Sequence, residues 1–263
     1  MPELPEVEAV ACKLRAAEPW CRIVGCGQFR PTTMQGGGRA IGQRIVAVDR
    51  RGKHLLLRLG NGCFLRVHLK MTGNLTVAQD ARMHASTVRA WFALDDGRAI
   101  VLDDPRALGR ISFHEKGSED GLFAGLGPEP FDAAFTLDHL VRAAKATKKP
   151  IKLLLMEQKA VVGLGNIYAA EALFQAAIHP ARPAHRLSRP KLEALYTAIR
   201  EVLGAAMSSA AMAYERPGEF SEGESFPAAV YGREGAPCLR CAGTVRRMPQ
   251  GGRSTYYCPK CQK

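Results

Sequence analysis

Apolar and polar positions change period near the middle of the chain. Val7, Val10, Ala11 and Leu14 recur at i, i+3, i+4 and i+7, which predicts a short amphipathic helix anchored to a core. Pro5 suits the first turn of that helix, where its missing N–H would have had no partner. Glu6 and Glu8 favour the positive end of the helix dipole. Residues 22–115 then read as short strands: RIVAVDRR, KHLLLRLG, GCFLRVHLK, TVRAWFALDDG and RAIVLDD. Turn signals such as Gly60-Asn61-Gly62 and Asp96-Gly97 separate them, the pattern of an all-β sandwich or barrel.

Leu126 to Phe135 carries two prolines and reads as a linker. Beyond it the period becomes helical. TLDHLVRAAKA, PIKLLLMEQ, GNIYAAEALFQAA and RPKLEALYTAIREVLGAA each place apolar residues at i, i+3 and i+4. No repeat or low-complexity segment stands out. The expected organisation is α+β and multi-domain: a β domain over 1–125, a linker over 126–135, a helical domain over 136–227 and a cysteine module over 228–263.

Composition narrows the class of partner. Lys and Arg number 37 against 25 Asp and Glu, a net charge of +12 over 263 residues. With a pI near 9.5, that balance is the electrostatic footprint of a polyanion partner. Residues 228–263 hold seven Lys/Arg and one acid, so +6 of the excess sits there. No stretch approaches the roughly 18 apolar residues of a membrane span. The N-terminus is acidic and lacks the apolar core of a secretory signal, so no export is expected.

Eight cysteines without such a signal point to a reducing compartment. Cys12, Cys21, Cys26 and Cys63 are scattered and read as small buried hydrophobes. The other four are Cys238-x2-Cys241, sixteen residues, then Cys258-x2-Cys261, the spacing of a zinc ribbon. One structural Zn2+ is expected, closed to catalysis because four thiolates leave no open coordination position.

The first residues, Met-Pro-Glu, are unexplained by helix formation. Removal of the initiator methionine would expose Pro2 as a secondary amine. An α-amino group has a pKa near 7.7–8, so an appreciable fraction is neutral at physiological pH and can attack an electrophilic carbon. The product is an iminium that stays charged and acts as an electron sink. Glu3 lies one residue away, placed for proton transfer on the same substrate.

MPELPEVE at the start, LGPEP at the linker, VVGLGNIYAAEALF among the helices and RSTYYCPKCQK at the end occur in that order. Together they resemble the formamidopyrimidine-DNA glycosylase/endonuclease VIII family of base-excision repair enzymes, over the whole chain. The resemblance implies an N-terminal antiparallel β-sandwich preceded by a helix, a helix-two-turn-helix domain and a zinc finger. It implies that Pro2 forms a Schiff base with C1′ of a damaged nucleotide, with Glu3 as acid/base. Lys53 would contact phosphate at the lesion and support catalysis. Asn166 and Arg253 would hold backbone phosphate, and His68 would reach it beside Met71. Met71 and Arg106 would fill the hole left by a nucleotide rotated out of the stack.

Two departures bear on specificity. The third void-filling position, commonly Phe in the formamidopyrimidine type, is Leu108, an apolar wedge with less area and no ring. Residues 207–231 lack the signature of the loop that covers a flipped purine. Glu215, Glu219, Glu222 and Glu224 make that stretch anionic, and a flexible loop is expected. The expected partner is double-stranded DNA with a damaged base or abasic site, bound by a monomer in the bacterial cytoplasm at the nucleoid. The expected activity is excision of formamidopyrimidine and 8-oxoguanine-type purines followed by β,δ-elimination. The same chemistry at oxidised pyrimidines or hydantoins, or non-catalytic damage binding, are the alternatives.

Overall fold

A computed structural model describes residues 2–79, 86–214 and 226–263. One compact unit comprises the residues up to Ala124. The second runs from Gly125 to Ala213 and takes in Phe226–Lys263.

The first unit is a sandwich of two sheets behind helix α1 (Leu4–Ala16). One sheet orders β1 (Ile23–Gln28), β7 (Val88–Leu94), β8 (Arg98–Asp103) and β6 (Asn74–Gln79). The other orders β2 (Met34–Gln35), β9 (Arg110–His114), β5 (Phe64–His68), β4 (His54–Leu59) and β3 (Ile45–Arg51). Pairing is antiparallel except at one place, where Met34 and Gln35 run parallel to Ile111 and Ser112. In β7 the alternation is complete: Val88, Ala90, Phe92 and Leu94 are buried and the residues between them are not.

Strands β1, β6 and β9 are weak in the sequence for physical reasons. Gly25 and Gly27 dilute β1 because the Trp91 ring lies across it; a Cβ on Gly27 would come 2.6 Å from that ring. Among their side chains β6 and β9 bury only Leu75 and Ile111.

Helix α1 packs against β3, β4 and β6, and so against both sheets. Leu4, Val7, Val10, Ala11 and Leu14 form its buried face. Glu8 does more than complement the dipole. Its carboxylate accepts from Arg50 Nε at 2.6 Å and Arg15 Nη1 at 2.8 Å, while Arg15 Nε donates to the Val48 carbonyl at 2.8 Å. Burial pushes the Glu8 pKa up, but the two guanidinium hydrogen bonds outweigh it and hold the carboxyl below its usual range. Of the four scattered cysteines only Cys63 is buried; Cys12 is exposed on the outer face of α1, and Cys21 and Cys26 are half-exposed.

The second unit is built from α3 (Leu137–Lys145), α4 (Ile151–Met156), α5 (Asn166–Gln175) and α6 (Arg189–Tyr214). The short α2 (Glu119–Phe123) closes the first unit. Thr136 caps α3 by accepting the His139 N–H at 3.1 Å. Leu140, Ile151, Leu155, Tyr168, Leu173, Leu195, Ile199 and Leu203 share one core. The stretch 126–135 is no free tether, since Phe135 joins that core and a Cβ on Gly127 would strike the Lys159 carbonyl. Residues 207–214, expected as loop, continue α6; Glu215, Glu219, Glu222 and Glu224 lie outside the described residues, as does Met1. Hairpin β10 (Arg246–Gln250) and β11 (Arg253–Tyr257) turns through Gly251 and Gly252, both at positive φ, as a type I′ turn requires. Among the described residues no helix is long and apolar enough to cross a membrane.

Candidate active site and nucleic-acid interface

In the first unit the N-terminus is tied down by its own helix. Glu3 is the N-cap of α1, and Glu3 and Glu6 form a capping box. The Glu3 N–H donates to Glu6 Oε2 at 2.8 Å, and the Glu3 carboxylate accepts the Glu6 N–H. Pro2 and Glu3 are both buried, Glu3 at 2 % exposure. The Glu3 carboxylate is thus held on the helix N-cap, one residue after the buried Pro2.

Lys53 stands in the two-residue turn between β3 and β4, after Gly52 at φ 55°. Taken alone, it would be expected to be a solvated charge; at 8 % exposure it is not. His54 and His68 pair across β4 and β5 with perpendicular rings 4.6 Å apart. Burial pushes both pKa values down, helped by Arg66, Lys70, Arg51 and Lys53 around His54 and by His54, Lys70, Lys53 and Arg66 around His68, to about 4 and about 3. Both rings are therefore neutral near pH 7. His68 Nδ1 accepts the Lys70 N–H at 3.0 Å, which leaves the ring proton on Nε2.

Met71 is half-buried in the loop between β5 and β6. Arg106 and Leu108 are exposed in the loop between β8 and β9.

In the second unit Asn166 opens α5 behind Gly165, at the positive end of the helix dipole. Its side chain is engaged: Oδ1 accepts from Lys152 Nζ at 2.5 Å and Nδ2 donates to the Ser254 carbonyl at 2.9 Å. Arg253 begins β11, opposite Gln250, with its side chain exposed. Lys152 was absent from the sequence reading. Its signal was a charge set among Ile151, Leu154 and Leu155 on a mostly buried helix, and the structure buries it to 1 %. Glu171 was also missed. It is buried on α5 and accepts the N–H groups of Ala229, Val230 and Tyr231 at 2.8, 3.0 and 2.8 Å. Burial raises its pKa despite those three bonds.

Cys238, Cys241, Cys258 and Cys261 converge, with all four Sγ atoms within 4.8 Å of one another. Tetrahedral coordination at a Zn–S distance of about 2.3 Å requires sulfurs about 3.8 Å apart. Cys238–Cys261 and Cys241–Cys258 stand at 3.8 and 3.6 Å. Burial raises the Cys238 pKa, but hydrogen bonds from the Arg240 and Cys241 N–H groups bring it down to about 7. Thiolate-stabilising amides on a tetrahedral edge fit one structural zinc.

A four-cysteine finger beside a basic helical unit is the equipment of a nucleic-acid-binding protein. The N-terminal domain of formamidopyrimidine-DNA glycosylase matches residues 1–111, its H2TH domain residues 126–215, and the zinc finger found in FPG and IleRS residues 235–263. The formamidopyrimidine-DNA glycosylase of Syntrophotalea carbinolica is 39% identical, covering 100% of both chains. The crystal structure of the MutM (FPG) protein from Thermus thermophilus superposes with a TM-score of 0.86 at 37% identity, over 99% of this chain and 98% of that one. The Lactococcus lactis enzyme non-covalently bound to DNA containing an abasic site gives 0.89 at 28% identity, over 99% of each. The chain belongs to the formamidopyrimidine-DNA glycosylase family.

Proposed function

We propose that the chain is a bifunctional DNA glycosylase and abasic-site lyase that excises oxidised purines of the formamidopyrimidine and 8-oxoguanine type. The observation that carries this reading is the buried capping box, which fixes Glu3 directly behind the buried Pro2. Once Met1 is removed, the Pro2 amine attacks C1′ and the damaged base leaves with the bonding electron pair, assisted by proton transfer through Glu3. The iminium at C1′ then accepts electrons as a proton leaves C2′. Expulsion of the 3′ phosphate and then the 5′ phosphate completes β,δ-elimination.

Lys53 and His68 contact phosphate near the lesion, His68 as a neutral Nε2–H donor. Asn166 and Arg253 hold the backbone in the second unit. Met71, Arg106 and Leu108 occupy the space the flipped nucleotide vacates. A +12 chain with bacterial relatives and no membrane-spanning helix among its described residues suits a monomer working on DNA in the cytoplasm, at the nucleoid. The shared core of α3 to α6 supports 136–227 as one domain, and the cysteine module supports 228–263 as the next.

Borohydride reduction with a lesion-bearing duplex tests the nucleophile. The mature protein should give a covalent adduct, and a chain extended before Pro2 should give none. An adduct that survives the extension would move the nucleophile to a lysine; no adduct with the mature protein would refute the lyase.

A further inference from the structure

The loops assigned above to filling the vacated stack are joined to each other by two residues without a role so far. Asp104, fully buried, stands between them. Its Oδ1 accepts the Thr72 hydroxyl at 2.5 Å, from the residue that follows Met71. Its Oδ2 accepts the N–H groups of Leu108 at 2.7 Å and Gly109 at 2.6 Å. The Thr72 oxygen in turn accepts the Arg106 N–H at 3.4 Å.

Each loop also carries a non-glycine residue in the left-handed region, and each such residue adjoins a wedge. Lys70, at φ 59°, precedes Met71; Ala107, at φ 54°, separates Arg106 from Leu108. Such conformations persist only where surrounding contacts over-determine them. The contacts are present. Gly73 donates to the Leu69 carbonyl at 3.0 Å, Ala107 to the Asp104 carbonyl at 3.0 Å, and Arg110 Nη1 to the carbonyls of Leu108 at 3.0 Å and Gly109 at 2.8 Å.

We propose that Thr72 and Asp104 are positioning residues that join the Met71 loop to the Arg106–Leu108 loop, so that the wedges enter the duplex as one body and opposite-base discrimination belongs to the pair. This inference rests on the void-filling reading of Met71 and Leu108. If one loop moved alone, the Thr72–Asp104 bond would break and strand a buried carboxylate oxygen. Leu108, with no ring to stack, is a small wedge by itself; the link lets the insertion of Met71 set its depth.

The test is a double-mutant cycle read by single-turnover excision of one lesion opposite each of the four bases. Met71→Ala and Leu108→Ala are made singly and together, in the wild-type and Thr72→Val backgrounds. Expected in the wild-type background is a double variant that loses roughly tenfold less rate than the product of the singles, within the usual range for coupled residues. In Thr72→Val the losses should multiply and the spread across opposite bases should narrow. Asp104→Asn should keep the coupling, because its carbonyl can take both backbone N–H groups while its amide donates to Thr72. Cleavage at an abasic site in single-stranded DNA, where there is no void to fill, should be unchanged in Thr72→Val and reports that the variant is folded. Multiplicative losses in the wild-type background, or equal coupling in both backgrounds, would overturn the proposal. If neither alanine variant changes excision opposite any base, the void-filling reading itself fails, a result distinct from multiplicative losses.

Discussion

Lys152 Nζ lies 2.5 Å from Asn166 Oδ1 and 2.6 Å from Thr255 Oγ1, so one buried ammonium ties α4 to the start of α5 and to the zinc-finger hairpin. Lys152→Met keeps the length of the side chain but takes the donor from the buried Thr255 hydroxyl and the half-buried Asn166 carbonyl. A stability loss of about 1–3 kcal/mol is expected, with helix content and zinc retained. Urea unfolding followed by circular dichroism measures it; a loss within error would mean the triangle contributes nothing net.

Salt dependence separates charged from neutral contacts to phosphate. Lys53→Ala and Arg253→Ala should each reduce the slope of log K against log salt by about 0.9. His68→Ala should weaken binding while leaving the slope alone, because a ring with its pKa at about 3 carries no charge at neutral pH. Fluorescence anisotropy of a lesion duplex across a salt series reads all three. A slope change in the histidine variant would show that its ring is protonated in the complex.

The histidine pair predicts a pH effect on stability. Histidine in an unfolded chain has a pKa near 6.5, whereas His54 and His68 are held to about 4 and about 3 in the fold. Between pH 6.5 and 4 the unfolded chain therefore binds more protons than the folded one. Stability from these rings is full above pH 6.5 and is lost as pH falls through that window. His54 Nδ1 is buried with no hydrogen-bond partner among the described residues, so His54→Phe should be tolerated at neutral pH. It should flatten the acid limb by up to one proton, about 1.4 kcal/mol per pH unit at most. Thermal unfolding at a series of pH values decides it; parallel curves for variant and wild type would contradict the shift.

Cys258→Ser should lose about one equivalent of zinc and, with it, DNA binding, because structural zinc contributes folding free energy. Metal analysis beside a binding titration checks both. Zinc retained at full stoichiometry in the variant would refute four-thiolate coordination.

Much of this was legible from local pattern. Val7 to Leu14, the alternation in VRAWFAL and the two CxxC pairs each encode their structure within a few residues, and the structure repeats them. What stayed hidden depends on partners distant in the chain. Glu8 looks like a dipole residue until Arg50 arrives from β3. Lys152 reads as a surface lysine until Thr255, over a hundred residues later, closes on it. Strand β1 reads as irregular because its glycines answer to Trp91 and not to their neighbours. Asp104, two residues before a motif arginine, gives no local sign of its role, since only the fold turns its two oxygens toward different loops.

Glu171 holds Ala229, Val230 and Tyr231 by their backbone amides, and Val230 is buried beside Phe174 and the finger cysteines, so this strap is moored by its own contacts. At the other end of the intervening segment, α6 is seated in the helical core as far as Ala206. Neither mooring draws on residues 215–225, so exchanging or recharging that segment should leave both folded. A segment expected to bear on which base is taken can thus be replaced as a cassette, with the moorings on either side unchanged.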